Sequence, residues 1–346
     1  MTRTALVSYF FASDALPLGD SLVRGLEANG WKVERFHCQA ESPINNLLFK
    51  PLRKITKGLG ADVDLARQLG VDNDNFRNAR LYERLEAVKP DLLLVVRGTD
   101  YSKATLDRAK QNGLLGTSVG WWVGGPESAE FLAQDAQTYD HYFSIHPAPL
   151  PEGVAWLDLL GHDAAIYHPI PGLAQDVPIS FVGGLNPRRL EVFSQLTDLP
   201  IQIYGPGWRK PKNGWRPALW RRVKARGIYG DALNRLYNRS KIVLNVTGWK
   251  PEAGKGLNLR VLDVPATGAF LLTDFSEDLA AFFKPGEEIE TWHSIEELRD
   301  KCRFYLANDA ARSKIAAAGL ERVRKLEDYR SKMARLLAGA GLAGPG

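Results

Sequence analysis

The sequence predicts an α/β protein of two Rossmann-like domains facing each other across a cleft. Three observations predict it. The 346 residues exceed what a single hydrophobic core usually serves. Short β-rich apolar runs alternate regularly with helical stretches. The alternation also breaks at His168-Pro169-Ile170-Pro171-Gly172 and then restarts, as at a short stiff boundary. The expected division is an N-terminal domain over 1–168, a second domain over 169–325, and a C-terminal helix and tail over 326–346 that packs back on the first.

The first half opens as strand, helix, strand over Thr4–Phe10, Leu18–Asn29 and Trp31–His37. After a long basic insertion, a helix over Asn78–Val88 leads through Lys89-Pro90 into a strand at Asp91–Arg97. Ser102–Asn112 then leads through Gly113 into Thr117–Val123, each helix stopping at Gly or Pro. Tyr139–Ile145 and Ala164–Tyr167 complete the predicted strands, and the alternation implies right-handed crossovers in a parallel sheet.

The second half repeats the theme. Strands are predicted at Ile179–Val182, Ile201–Tyr204, Ile242–Val246 and Phe270–Thr273, with helices at Pro187–Leu196, Asp231–Ser240 and Arg260–Thr267 between them. From Ser294 the pattern is helical to Leu337, and a Gly/Ala tail follows that is not expected to be ordered. Ligands of open α/β sheets gather at the carboxyl ends of the strands, so the site is expected between the domains.

Composition narrows the classes. Hydrophobic residues at 45% and charged residues at 25% describe an ordinary globular chain and exclude wholesale disorder. The longest apolar runs, Leu92–Val96 and Ile242–Val246, are of strand length, far short of the ~20 residues that span a bilayer. The start of the chain lacks the pattern of an export signal, so a cytoplasmic protein is expected. Cys38 and Cys302 are too few and too far apart for a disulfide framework or a zinc site. The net charge of +5 favours anionic partners without choosing among nucleotide, nucleic acid and lipid. No nucleic-acid-binding module is recognisable, and none is expected as a partner.

The strongest chemical block runs from Gly256 to Asp274. Asn258 is a good N-cap residue, so the amides after it, including that of Leu259, are candidates to hold a pyrophosphate at a positive helix end. Arg260 adds a forked donor for two phosphate oxygens, and Asp263, one turn on, can accept from ribose hydroxyls. Gly268 permits the turn into the next strand. The bland alternative is a capped helix packing on a strand. A second block, Pro178–Arg189, reads as strand, glycine turn and helix start. There Gly183 and Gly184 let backbone approach a ligand, and Arg188 or Arg189 can neutralise phosphate. A third, Ile203–Trp208, offers Tyr204 and Gly205 as borders of a base or sugar, while Trp208 reads as a core residue.

The succession Ile-Ser-Phe-Val-Gly-Gly with Pro-Arg-Arg, Ile-Tyr-Gly-Pro-Gly-Trp, Leu-Tyr-Asn-Arg-Ser-Lys-Ile-Val-Leu-Asn245, Asn258-Leu-Arg and Gly268-Ala-Phe-Leu-Leu-Thr-Asp resembles the CgeB-like (spore-maturation type) glycosyltransferases. The resemblance covers 178 to about 330 well. It extends more loosely to the first half through Lys89-Pro-Asp-Leu-Leu-Leu-Val-Val.

It implies a GT-B fold and a nucleotide-diphosphate sugar bound mainly by the second domain. It further implies an acceptor (glycan, lipid-linked or protein) bound mainly by the first, and neither cofactor nor metal. Gly183, Tyr204, Asn245, Asn258, Arg260, Asp263 and Gly268 carry the donor-site roles over. Asp263 stands where relatives have Glu, and Lys255 where retaining enzymes have an earlier Glu, which leaves Glu252 as a substitute. A catalytically silent nucleotide-sugar-binding protein and a sugar-nucleotide epimerase are the rival readings.

An inverting transfer needs a base within reach of the acceptor hydroxyl. Asp14, Asp100 and Glu127 follow predicted strands on the expected side, with Asp100 and Glu127 ranked first and a solvated loop carboxylate the alternative for each. His141 and His146 fall on opposite faces of an extended segment, so a shared metal is not expected. Two basic stretches interleaved with apolar residues, Leu47–Lys57 and Trp215–Arg226, suit either an anionic membrane surface or a solvated cationic face.

Overall fold

In the computed structural model, which describes residues 2–12, 17–58, 60–61, 63–96, 101–125, 128–147, 149–209, 216–225, 227–248 and 257–343, each half of the chain builds one six-stranded sheet. Neighbouring strands are parallel throughout both sheets.

The first sheet contains β1 (Thr4–Tyr9), β2 (Lys32–His37), β3 (Leu92–Val96), β4 (Thr117–Trp122), β5 (His141–Ser144) and β6 (Val154–Trp156), in the order β2-β1-β3-β4-β5-β6. Its helices are α1 (Leu18–Glu27), α2 (Lys50–Gly58), α3 (Leu65–Gln68), α4 (Asn73–Val88), α5 (Lys103–Gln111) and α6 (Ala129–Ala136); a π-helical turn, Asn45–Phe49, precedes α2. All five residues of β3 are fully buried, as a central parallel strand covered on both faces requires.

The second sheet contains β7 (Val177–Val182), β8 (Ile201–Tyr204), β9 (Val223–Ala225), β10 (Ser240–Asn245), β11 (Leu271–Asp274) and β12 (Glu290–Trp292), in the order β12-β11-β10-β7-β8-β9. Its helices are α7 (Pro187–Gln195), α8 (Pro217–Trp220), α9 (Gly230–Arg239), α10 (Arg260–Ala266), α11 (Ile295–Ala307) and α12 (Asp309–Val323); the last helix, α13 (Tyr329–Gly339), begins in the second unit and ends in the first. Successive strand residues serve opposite layers. Ile179, Phe181, Ile242, Leu244 and Leu272 enter one apolar cluster, while Val182, Val243 and Leu271 enter the other.

Three expectations are corrected here. Ala164–Tyr167 is a turn, because Asp163 accepts from the Ala165 amide through its carboxylate and from the Ile166 and Tyr167 amides through its carbonyl; the sixth strand is β6. The unit boundary falls between Asp158 and Leu159 rather than at 168. The Pro-rich segment is bound into the second unit, where the Asn234 and Asn238 carboxamides on α9 accept from the amides of His168 and Ile170. The chain after Leu337 is also placed up to residue 343. Met333 onward belongs to the first unit, and Arg3 donates to the Leu342 carbonyl at 2.7 Å.

In the second unit the β7–α7 and β8 loops interlock. The Gly183 amide donates to the Tyr204 carbonyl at 2.8 Å, the Leu185 amide to Pro206 at 2.9 Å, and the Trp208 indole to the Gly183 carbonyl at 2.9 Å. Trp208 is core, edge-on to Phe181 and Phe193. A Cβ on Gly205 would meet the Gly183 carbonyl oxygen at 2.0 Å, so only glycine fits this crossing. Gly205→Ala is therefore expected to destabilise the fold by about 1–3 kcal/mol or more through overpacking. Denaturant unfolding checks this, and an unchanged midpoint would show that the loops separate freely.

Candidate functional site

The order of the second sheet puts β7 and β10 side by side at its centre, and the chain winds outward from them in opposite directions. A crevice forms outside the carboxyl ends of two such strands, where ligands of doubly wound sheets sit. Three segments meet at this point: Gly183-Gly184 after β7, Val246-Thr247 after β10, and the start of α10.

Two guanidinium groups dominate it. A Cβ built on Gly183 would lie 3.1 Å from Arg189 Nη1 and 3.1 Å from Arg260 Nη2, so glycine is what lets both side chains close over the strand end. Both also lie over the Phe181 ring, 5.3 Å and 5.7 Å from its centroid. Arg189 donates to the carbonyls of Val246 and Gly184, at 2.9 and 2.8 Å. Arg260 donates to the Val182 carbonyl at 2.8 Å and to Asn245 Oδ1 at 3.1 Å.

These partners are neutral. Two like charges roughly 6 Å apart at an effective dielectric of about 20 repel by about 3 kcal/mol, more than one neutral hydrogen bond returns. The strain registers on Arg189, whose pKa is pushed down to about 9 by burial first, with the charges of Arg260 and Arg188 adding and Asp274 opposing.

Arg188 is different. Its Nη1 donates to the buried Asp274 carboxylate at 2.7 Å and to the Thr247 carbonyl and hydroxyl at 3.0 Å, and its guanidinium lies over the Trp292 ring. Asp274 also accepts from the Thr247 amide. Arg188 thus ties the ends of β10 and β11 together with its charge balanced, whereas Arg189 and Arg260 have no carboxylate hydrogen-bond partner among the described residues. The tie was legible only as an Asp closing an apolar strand, a weak signal without the partner.

Asn258 caps the start of the helix with its side chain, one residue ahead of Leu259, which is itself helical. α10 starts at Arg260, with Leu259 in the cap position and without a side-chain cap of its own. The Asn258 side chain accepts from the Arg260 amide at 3.1 Å, Asn258 O from Val261, and Leu259 O from Leu262 and Asp263. The amides of Arg260, Val261, Leu262 and Asp263 are thus committed within the turn. Asn245, fully buried, donates to Thr273 Oγ1 and accepts at Oδ1 from both Asn258 Nδ2 (3.0 Å) and Arg260 Nη1, which makes it the support that aims Arg260.

The remaining candidates separate. Tyr204 ends β8, but its hydroxyl donates to Gln202 Oε1, back along the strand. Gly205 is a packing glycine. Gly184 lies beside Pro206 in the same loop crossing. Gly268, at φ +73°, turns α10 into β11 and so stands at the amino end of a strand, beside Leu320 and Pro169. The carboxyl-end site cannot include it, because a helix returns the chain to the opposite edge of a parallel sheet. Asp14, Asp100, Glu127, Glu252 and Lys255 lie outside the described residues. His146 Nε2 is 3.1 Å from the Gly124 carbonyl, in keeping with a hydrogen-bonded structural histidine.

Asp263, one turn after Arg260, is 8% exposed and borders Tyr167 and Tyr237. Burial raises its pKa well above 3.8, with Arg260 opposing and Asp163 adding. The same burial, with Asp263 close by, raises both tyrosines.

Residues 188–338 match a family model described as glycosyl transferase-like. No curated protein sequence matches the chain. Among solved structures, sucrose-phosphate synthase from Thermosynechococcus elongatus superposes with TM-score 0.64 at 14% identity, over 99% of this chain and 100% of that one. HepE from Anabaena, solved in complex with UDP and glucose, gives 0.63 at 11% identity, over 97% and 99%. A glycosyltransferase from Rickettsia africae gives 0.59 at 10%, over 98% of both. The chain thus has the α/β two-domain fold of GT-B glycosyltransferases, and its second unit carries the glycosyl transferase-like match.

The state of Asp263 is testable. Its folded pKa is raised, so its contribution to stability is greatest below the unfolded value near 3.8 and falls as pH rises toward the folded value. Asp263→Asn is expected to remove that fall, so that its stability relative to the parent improves from pH 4 toward neutrality. Parallel pH–stability curves for the two proteins would show instead that the carboxyl is solvated.

Proposed function

We propose that the chain is a glycosyltransferase that takes a sugar from a nucleotide-diphosphate donor, with the diphosphate held between Arg189 and Arg260 over Gly183. One observation carries this reading: two part-buried guanidiniums share the end of a central strand, and among the described residues their hydrogen-bond partners are all neutral. A diphosphate spreads its charge over several oxygens and can accept from both forks at once, which turns their repulsion into attraction. The position is the topological switch point, where the fold favours nucleotides. The structural likeness to HepE, solved with UDP and glucose, puts a uridine donor first among those to try.

In this reading Asn245 and Asn258 hold Arg260 on the phosphates, and Asp263 meets the ribose hydroxyls. The arginines neutralise the leaving diphosphate, and the reading calls on no metal for that task. Transfer forms a bond between the acceptor oxygen and the anomeric carbon while the bond from that carbon to the diphosphate breaks. The hydroxyl proton passes to a base. Asp100 and Glu127, after β3 and β4 in the sequence, are the first choices for the base, and Asp14 after β1 is the third. The acceptor is a glycan, a lipid-linked sugar or a protein, and the order of motifs fits the CgeB-like branch. A cytoplasmic enzyme that visits the inner face of a membrane would reach a lipid-linked acceptor.

Thermal-shift titration with UDP-, GDP-, dTDP- and CMP-sugars tests the donor site. A diphosphate donor is expected to stabilise the protein, and the CMP-sugar, with a single phosphate, to do so weakly. Arg260→Met and Arg189→Met are each expected to weaken donor binding about ten- to a hundredfold, the worth of a charged hydrogen bond. Full affinity in both variants would remove the site.

With an acceptor found, Asp100→Asn or Glu127→Gln is expected to lower kcat by about a hundredfold or more at unchanged donor affinity. Full turnover in both would move the base elsewhere.

A further inference from the structure

Ten large apolar residues stand out as exposed among the described residues, and eight of them fall between residues 44 and 69: Ile44, Leu47, Leu48, Leu52, Ile55, Val63, Leu65 and Leu69. Their core is the π-helical turn Asn45–Phe49 continued by α2. At helical spacing Ile44, Leu48, Leu52 and Ile55 share one face, and Lys50, Arg53, Lys54 and Lys57 lie across from it. Such an amphipathic helix ordinarily turns its apolar face to the core. This one does not. Ile44, Leu48 and Ile55 remain 53%, 63% and 62% exposed, and no residue of α2 is buried.

The segment is fixed by polar contacts instead. The Asn73 carboxamide oxygen accepts from the Ser42 amide and from the buried Asn45 side chain, and Arg53 is paired with Asp64. A polar anchor that leaves the apolar face outward suits a face covered by something outside the chain.

Charge identifies the occupant. Residues 44–58 hold four cations and no acidic side chain. A second copy of this chain would bring the same cations against them. An anionic bilayer accepts both features together, with the apolar side chains entering the interface and the lysines and arginine meeting headgroup charge.

The other basic stretch does not compete. Leu219 is buried there, and Arg216 and Arg222 donate to Ser194 and to the Thr197 carbonyl. We propose that residues 44–58 form a docking surface for anionic membranes, a role that stands whether or not the donor-site reading holds.

Co-sedimentation with phosphatidylcholine vesicles, with and without phosphatidylglycerol, tests it on the full chain. Binding is expected only with the anionic lipid and is expected to weaken as salt rises. Lys50→Gln, Lys54→Gln and Lys57→Gln together are expected to reduce partitioning roughly a hundredfold, about fivefold per charge. Leu48→Ser, Leu52→Ser and Ile55→Ser together are expected to abolish it. All six positions are exposed, so circular dichroism is expected to be unchanged. No sedimentation with anionic vesicles, or equal sedimentation of the serine variant, overturns the proposal. So does a dimer that the serine substitutions dissolve, which would assign the face to a second copy.

Discussion

The second unit depends on one close approach: a glycine at the end of β7 with no side chain, into whose space two guanidiniums fold from different helices. Arg189 comes from the first turn of α7 and Arg260 from the first residue of α10. Each is held by carbonyls at strand ends, so the sheet itself fixes where the charge stands. Around that point the neighbours are arranged to keep the charge available. Arg188 takes the Asp274 carboxylate, Asn245 offers a neutral oxygen, and burial keeps Asp263 toward its neutral form.

Anion sites on doubly wound sheets often rest on backbone amides at a helix start. Here α10 spans seven residues with Pro265 inside it, and its first amides are used within the turn. A short helix aligns few peptide dipoles, so the positive end is weak. Side-chain guanidiniums replace it, and they differ physically from amides: each presents a planar fork that can accompany a shifting phosphate. In the proposed donor site the arrangement would suit a leaving group whose negative charge grows as its bond to the sugar breaks, because fixed donors that are already in place need little reorganisation.

Much of this was legible in the sequence. The alternation of apolar runs and helices located nine of the twelve strands because central parallel strands are buried on both faces and read as unbroken apolar runs. β6, β9 and β12, three residues each at or near sheet edges, carried too little pattern, and Ala164–Tyr167 imitated a strand until Asp163 bound its amides. Gly183, Arg189 and Arg260, which the sequence offered as phosphate-facing residues from two separate blocks, lie together in the structure. Gly268 was legible as the turn from α10 into β11, and only its donor-site role, which came from the family resemblance, falls at the opposite edge of the sheet. The Arg188–Asp274 tie was not legible, because it joins residues 86 apart.

The same reasoning explains why the two basic stretches part company. Both interleave cations with apolar residues, and sequence periodicity treats them alike. What separates them is where their polar groups find partners. Arg222 and Arg216 reach protein acceptors and Leu219 enters the core, so that stretch closes upon its own unit. The segment at 44–58 is instead gripped from its start by Asn45 and Asn73, and its apolar residues are held off the core by the anchor that orders them. Burying three or four such side chains would yield roughly 1.5–3 kcal/mol each. A fold that leaves that much stabilisation unused on one exposed helix, while its sheets are packed on both faces, has kept the surface for a partner outside the chain.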